Sequence, residues 1–165
     1  MELLLDERGE TEIRRQWAVL AEAGLSSPGA THRPHITVAV AREIWPRIDH
    51  ALERMAFTPL PIRLGGVLVF GARRPILVRA VVVTEELLSV QRRVADLVAP
   101  CPGIPADVAP DAWTPHVTLA RRVPPDRLGE AVRAVATDHD FSAVVVGIRR
   151  WDGDARQERL VAGGR

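Results

Sequence analysis

Apolar residues recur with two different periods along this chain, and the switches between them lay out its elements. Residues 2–6 contain a short apolar run, Leu3-Leu4-Leu5, that fits a strand. From 7 to 24 the spacing changes to three and four: Ile13, Trp17, Leu20 and Ala21 share a helical face, and Gly24 suits its end. Residues 26–33, rich in Ser, Pro and Gly, read as loop. A strand over 35–40 precedes a helix over about 43–56, with Ile44, Ile48, Ala51, Leu52 and Met55 on one side. Pro46 falls near its first turn, where a missing N–H costs little. Residues 61–70 and 76–83 are β-rich runs joined by a hairpin turn over 71–75. Thr84 is the expected N-cap of a helix over 84–99, with Glu85 and Glu86 favouring the dipole in its first turn. Residues 100–114 carry four prolines and read as a long loop. A strand over 116–121, a helix over 125–137, and strands over 141–149 and near 157–162 complete a mixed α/β order, and the glycines of the tail suggest a frayed end.

Two of these strands open on the same four-residue pattern. Pro34-His35-Ile36-Thr37 runs into ITVAV, and Pro115-His116-Val117-Thr118 into VTLAR. A strand alternates its side chains between faces, so each copy sets an imidazole and a hydroxyl on one face and sends the apolar residue to the other. The two copies lie 81 positions apart, close to half the 165-residue chain. The same offset sets Gly66 against Gly147, Val67 against Ile148, and Phe70 against Trp151. Upstream, an offset of 78 sets Leu4-Leu5 against Val82-Val83 and Arg14-Arg15 against Arg92-Arg93. A period this long fits a duplicated half-domain, two lobes with one His-x-Thr pair each, and not a solenoid of short repeats.

Composition narrows the chemistry. The length suits one domain with a real interior. Formal charge is +1, which excludes a bulk electrostatic binder of long nucleic acid. All 22 basic residues other than His are Arg, whose planar fork suits phosphate. Cys101 is the single cysteine, so no intrachain disulfide and no cysteine metal cluster can form. The start of the chain turns acidic too soon for a signal peptide, and nothing approaches the roughly 20 apolar residues of a membrane span. The expectation is a cytoplasmic monomer with no obligate protein partner. No glycine-rich phosphate loop is present.

Two histidines near neutral pKa can serve as acid and base at a phosphodiester, with Thr37 and Thr118 as hydroxyl donors to its oxygens. No metal and no cofactor is required. The paired PHIT and PHVT motifs, with PHVTLAR in the second, resemble the 2H phosphoesterase superfamily, and within it the 2′-5′ RNA ligase and RNA 2′,3′-cyclic phosphodiesterase group. The resemblance covers most of the chain. It implies a bilobal α/β fold over residues 1–165: two mainly antiparallel sheets around a central cleft, helices outside, related by a pseudo-two-fold repeat. It further implies His35 and His116 as the catalytic pair, phosphate contacts from Thr37 and Thr118, and a substrate-binding role for Arg121. The substrates it implies are RNA ends or small cyclic-phosphate nucleotides, with 2′-5′ ligation as the reverse reaction. Two alternatives stay open at this point: a non-catalytic RNA- or nucleotide-binding module of the same fold, and a phosphodiesterase for a non-RNA nucleotide such as ADP-ribose cyclic phosphate.

Other residues are weighed against simpler roles. Phe70 and Trp151 are either equivalent core or rim aromatics or a stacking platform for a base. His32, three before His35, would point to the opposite face of an extended segment; a metal site from His32, His35 and His116 lacks a neighbouring carboxylate at ligand spacing. His50 and His139 read as surface residues, Trp17 and Trp45 as core. Trp113 either walls the cleft or packs against its loop. Only one of Arg121 and Arg122, and one of Arg149 and Arg150, can face the cleft. Cys101 has no nearby basic partner to make it a reactive thiolate.

Overall fold

A computed structural model describes residues 1–29, 32–136 and 139–163. Ala30 and Thr31 of the expected loop, Thr137 of the expected fourth helix, Asp138 beside His139, and Gly164 and Arg165 of the tail lie outside the described residues. The strands are β1 (Glu2–Leu5), β2 (His35–Thr37), β3 (Leu60–Phe70), β4 (Ile76–Val81), β5 (His116–Ala120), β6 (Phe141–Asp152) and β7 (Gln157–Gly163). The helices are α1 (Glu7–Glu22), α2 (Pro46–Glu53), α3 (Glu85–Val98) and α4 (Leu128–Val135).

Several boundaries differ from the sequence pattern for local reasons. β2 is three residues long because its ladder with β1 ends at Glu2↔Thr37, and the amides of Val38 and Ala39 both turn to the Met1 carbonyl. α2 starts only at Pro46, because Trp45 before it is extended. The expected fourth helix opens as a 3-10 turn over Pro125–Arg127 before α4. The expected Pro-rich loop hides another such turn at Ala106–Val108. Thr84 caps α3 as expected, its hydroxyl accepting from the Leu87 amide at 3.2 Å.

The strands form one antiparallel sheet in the order β2-β1-β6-β3-β4-β5, with β7 also on β6. The two sheets implied by the resemblance are therefore two wings of one hydrogen-bonded sheet, joined through β6. That strand pairs with β3 over Phe141–Val145 and with β1 and β7 further along. β2 and β5 stand at opposite ends of the order, yet their backbones approach within 8 Å without pairing. The sheet curls until its two end strands face each other.

What curls it is packing. Leu3, Leu5, Ile36, Leu64, Leu77, Leu119 and Ile148 are fully buried along with Ile13 and Leu20 of α1, and α1 reaches both β5 and β6. Asp6 Oδ1 accepts from the amides of Gly9 and Val144, each at 3.1 Å, so one carboxylate caps α1 and holds β6. The approach is close: a Cβ on Gly9 would sit 2.7 Å from that of Ala143, which explains a glycine inside a helix.

Arg79 is the largest fully buried side chain, 1% exposed. Its guanidinium donates to Gln16 Oε1 (2.8 and 3.2 Å), to the Gly65 carbonyl (3.0 Å) and to the Val135 carbonyl. It thereby joins α1, β3 and the end of α4 from the middle of β4. Arg79→Met keeps much of the volume and strands three buried acceptors, each worth roughly 1–3 kcal/mol. The expected cost is about 3 kcal/mol or more, read as a fall in melting temperature of roughly 6–12 °C for a chain of this size. An unchanged melting temperature would mean that these oxygens find water instead.

Candidate active site

The facing end strands carry the two motifs. Ile36 and Val117 are buried, 0% and 1% exposed, while His35, Thr37, His116 and Thr118 are each partly open on the other face. Strand parity thus does what the sequence pattern predicts. Each motif strand is also fixed by a tryptophan from elsewhere in the chain. Trp17 of α1 donates its indole N–H to the Thr118 carbonyl at 2.9 Å, and Trp113 donates to the Thr37 carbonyl at 2.8 Å.

Both imidazoles are oriented in the same way. His35 Nδ1 lies 2.8 Å from the Arg33 carbonyl and His116 Nδ1 lies 2.7 Å from the Thr114 carbonyl, in each case two residues back. A carbonyl can only accept, so Nδ1 carries the proton and Nε2 is the free nitrogen of the neutral ring. The surroundings of the two Nε2 atoms differ. His35 Nε2 lies 3.3 Å from Glu2 Oε1, a carboxylate that also accepts from Arg149 Nε at 2.7 Å. Arg149 in turn pairs with Glu158. His116 meets no carboxylate at such range among the described residues; its ring packs edge-on against Phe70, centroids 4.9 Å apart.

Burial pushes both histidines below the ordinary value of 6.5. At His35 the Glu2 charge and the Arg33 carbonyl oppose that shift, while Arg149 and Arg121 add to it. At His116 the Thr114 carbonyl and Asp107 oppose it and Arg121 adds to it. One guanidinium, Arg121, therefore acts on both rings. It has no ion pair or side-chain hydrogen bond among the described residues and is exposed.

A cleft of about 430 Å³ gathers His35, Thr37, Thr118, Arg121 and Trp151. His116 and Phe70 are not among its lining residues; they form their edge-on pair on the same end strand and its neighbouring hairpin. Of the aromatic pair, Trp151 is 39% exposed in the cleft wall. Arg122 has a left-handed backbone (φ 54°) and is not among the residues that line the cleft, and Arg150 pairs with Asp49 at 3.0 Å. His50 and His139 lie at the surface and Cys101 is buried.

His32 departs from expectation. It lines the same cleft as His35, because a bend follows residue 31 and the segment is not a regular strand. Trp17 is buried as expected yet also forms part of the cleft wall, and Trp45 is half-buried under Arg47. Glu2 is the cleft residue that the sequence pattern misses. Its one signal is a carboxylate opening the apolar run Leu3–Leu5. Among the described residues, no group of three or more His, Cys, Asp and Glu side chains is placed to hold a metal ion. No helix of the described residues is long and apolar enough to cross a membrane.

A family model described as the 2′-5′ RNA ligase superfamily matches residues 9–155. No curated protein matches the chain. Among solved structures, Usb1 of Kluyveromyces marxianus superposes with a TM-score of 0.56 at 15% identity, covering 98% of this chain and 95% of that one. The same protein with uridine monophosphate gives 0.55 at 14%, with the same coverage. A structure described only as a phosphoesterase gives 0.51 at 16%, covering 99% and 92%. At these identities the structures speak for the fold. The matched family model speaks for the family: this chain belongs to the 2′-5′ RNA ligase superfamily of 2H phosphoesterases.

Histidines with lowered folded pKa values stabilise the fold fully above 6.5, and the contribution is lost as pH falls and the unfolded state binds protons first. In an NMR titration both rings should therefore titrate below 6.5. Glu2→Gln, which removes a charge that raises His35, should move His35 lower still and leave His116 in place. A His35 titration indifferent to Glu2 would contradict the contact.

Proposed function

We propose that this member of the 2′-5′ RNA ligase superfamily is a metal-independent phosphodiesterase that opens 2′,3′-cyclic phosphate ends of RNA, with His35 and His116 as the acid–base pair. The observation that carries this reading is the matched fixing of the two imidazoles: each Nδ1 is held by a backbone carbonyl two residues back, just ahead of one of two facing strands, which assigns proton transfer to Nε2 in both rings. Family membership supports a phosphoesterase. A nucleotide ligand is supported by a similar structure solved with uridine monophosphate.

Glu2 divides the roles. A neutral His35 would set its Nε2 lone pair against a carboxylate 3.3 Å away, whereas a protonated ring donates to it. His35 is therefore the acid, and His116, with no such partner, is the base. His116 Nε2 takes a proton from water as the water oxygen bonds to phosphorus. The bond from phosphorus to one ribose oxygen breaks, and that oxygen receives the His35 Nε2 proton. The products are a phosphate monoester, a free hydroxyl, neutral His35 and protonated His116; exchange with solvent resets the pair. Thr37, Thr118 and Arg121 donate to the non-bridging oxygens as their charge grows. With the 5′-hydroxyl of a second RNA end in place of water, the same sequence would break the bond from phosphorus to the 3′ oxygen, form one to the 5′ oxygen and leave a 2′-5′ linkage; its reverse cleaves that linkage.

We also read the chain as one domain of two lobes from an internal repeat. The pairing registers support it with one correction: they set Leu4-Leu5 against Ala80-Val81, two residues short of the 78-residue offset that pairs them with Val82-Val83, which lie beyond the end of β4. Leu3↔Ile148 and Leu5↔Val145 in one wing correspond to Arg79↔Val67 and Val81↔Leu64 in the other, with a register shift at the same place. Leu4↔His35 likewise corresponds to Ala80↔His116.

His35→Ala or His116→Ala should each reduce turnover of a 2′,3′-cyclic nucleotide by about 10² or more, and the double variant should be little worse. Activity should survive EDTA. Because both rings titrate below 6.5, kcat/KM should peak on the acid side of that value and fall above it. Glu2→Gln should shift the alkaline limb, which reports the acid His35, to lower pH and leave the acidic limb unmoved. Full activity in either alanine variant, or loss with EDTA restored by one divalent ion, would remove the mechanism.

A further inference from the structure

Glu2 is the single carboxylate among the described residues that line the motif cleft, and its surroundings leave it a net charge. It stands opposite Thr37 of β2 and opposite Arg149 of β6 in the two ladders of β1, so its side chain shares the face of the motif residues. Oε2 accepts from Arg149 Nε at 2.7 Å, and Arg149 also pairs with Glu158 of β7. Two carboxylates thus share one guanidinium. The Glu158 side chain is 54% exposed and that of Glu2 only 11%, so water screens the first far better than the second. Oε1 faces His35 Nε2 at 3.3 Å, a contact that satisfies it only while that ring carries a proton. The other charged or titratable groups of the cleft are Arg121, after β5, and His32, ahead of β2. A glutamine at this place would avoid burying a charge, and the site keeps one.

The proposed reaction changes the charge on both sides of that contact. A phosphodiester enters with one negative charge. The monoester that leaves has a second ionisation near pH 6, so at neutral pH it carries about −1.5 to −2. In the same step His35 gives up its proton, and Glu2 loses its cationic neighbour. The oxygen that takes the proton lies within a hydrogen bond of Nε2, which sets it within roughly 6.5 Å of Oε1. Thr37, Thr118 and Arg121 are all donors and hold a dianion better than a monoanion. Without Glu2, the cleft would grip its product more tightly than its substrate.

We infer that Glu2 is a charge-state filter: it admits a phosphate carrying one negative charge, disfavours one carrying two, and so drives off the monoester that the reaction makes. This rests on the phosphodiesterase reading and adds to it a residue that governs product release and selectivity against monoesters. Arg149 is a positioning residue for it, because it fixes Oε2 and turns Oε1 to the cleft. A unit charge at that separation, with an effective dielectric constant of about 20, changes affinity by about tenfold or more.

The test is calorimetric binding of a 2′-deoxynucleoside 3′-monophosphate and of its methyl ester. The ester keeps one negative charge at every working pH, and neither ligand has a 2′-hydroxyl to react. At about pH 7.5 wild type should bind the ester about tenfold more tightly, and at about pH 5, where both ligands carry one charge, the two should bind within about twofold. Glu2→Gln should close the gap at the higher pH to about twofold by tightening the monoester. Glu158→Gln, which leaves Arg149 to Glu2 alone, should narrow the gap by a smaller factor, and it decides the matter with wild type should Glu2→Gln fail to fold. A merely structural role for Glu2 would weaken both ligands alike and leave their ratio in place. In turnover of a 2′,3′-cyclic nucleotide, inhibition by the monoester should strengthen by about fivefold in Glu2→Gln. Equal binding of the two ligands by wild type at the higher pH, binding of neither, or a gap that survives both substitutions would overturn the filter and leave the reaction standing. If no cyclic phosphate is opened while the gap behaves as stated, the reaction falls and the filter stands as a property of binding.

Discussion

Two indole N–H groups hold this site together. β2 and β5 are the ends of one long sheet, and no ladder bonds join them. Each has an outer edge with carbonyls that a further strand would normally engage. Trp113 takes the Thr37 carbonyl and Trp17 the Thr118 carbonyl, so both motif threonines are satisfied across 76 and 101 positions of chain. The contacts leave the edges capped yet unpaired. An inter-strand ladder there would bring the strands to about 4.8 Å and close the cleft. A tryptophan is long enough to reach across and apolar enough to be buried beside the core, and it has a single donor to spend on one carbonyl. The motif residues are thus positioned by side chains from outside the motifs.

Much of this was legible in the sequence, and the reason is parity. In His-x-Thr on a strand, the two polar side chains must share a face and the apolar one must leave it, whatever the rest of the fold does. Helix α3 was equally readable, because Thr84, Glu85 and Glu86 are local signals. The missed features depend on contacts between distant segments. Glu2 and Arg149 meet because Glu2↔Arg149 is a register pair of β1 and β6, 147 positions apart, and nothing near either residue announces it. Arg79 stands mid-strand between apolar neighbours, where pattern alone argues for exposure; only the convergence of Gln16, Gly65 and Val135 makes its burial tolerable. His32 reaches the cleft beside His35 because the segment bends there, and strand parity holds only for a regularly extended chain.

Net charge is also a poor guide to what this surface binds. The total of +1 hides a division of labour among arginines. Arg149, Arg150, Arg127 and Arg15 are committed to carboxylates and serve architecture. Among the described residues, Arg121 in the cleft and Arg156 in the turn after β6 enter no ion pair, and it is such uncommitted cations that an anion meets. The charge available to a ligand is local and small, which favours a short phosphate-bearing end over long nucleic acid held by bulk attraction.

The same field bears on the acid–base reading proposed for the two histidines. Without an anion, desolvation and Arg121 disfavour the imidazolium at either ring. In the reaction we propose, a phosphodiester at the cleft would bring the missing negative charge, offset Arg121 and raise both rings together. Glu2 adds to that rise at His35 alone. On that reading a shared shift would become a difference between the two sites, with His35 gaining its proton first and His116 free to accept one. Substrate charge and one buried carboxylate would then together assign complementary protonation states to two rings that the fold otherwise holds in the same way.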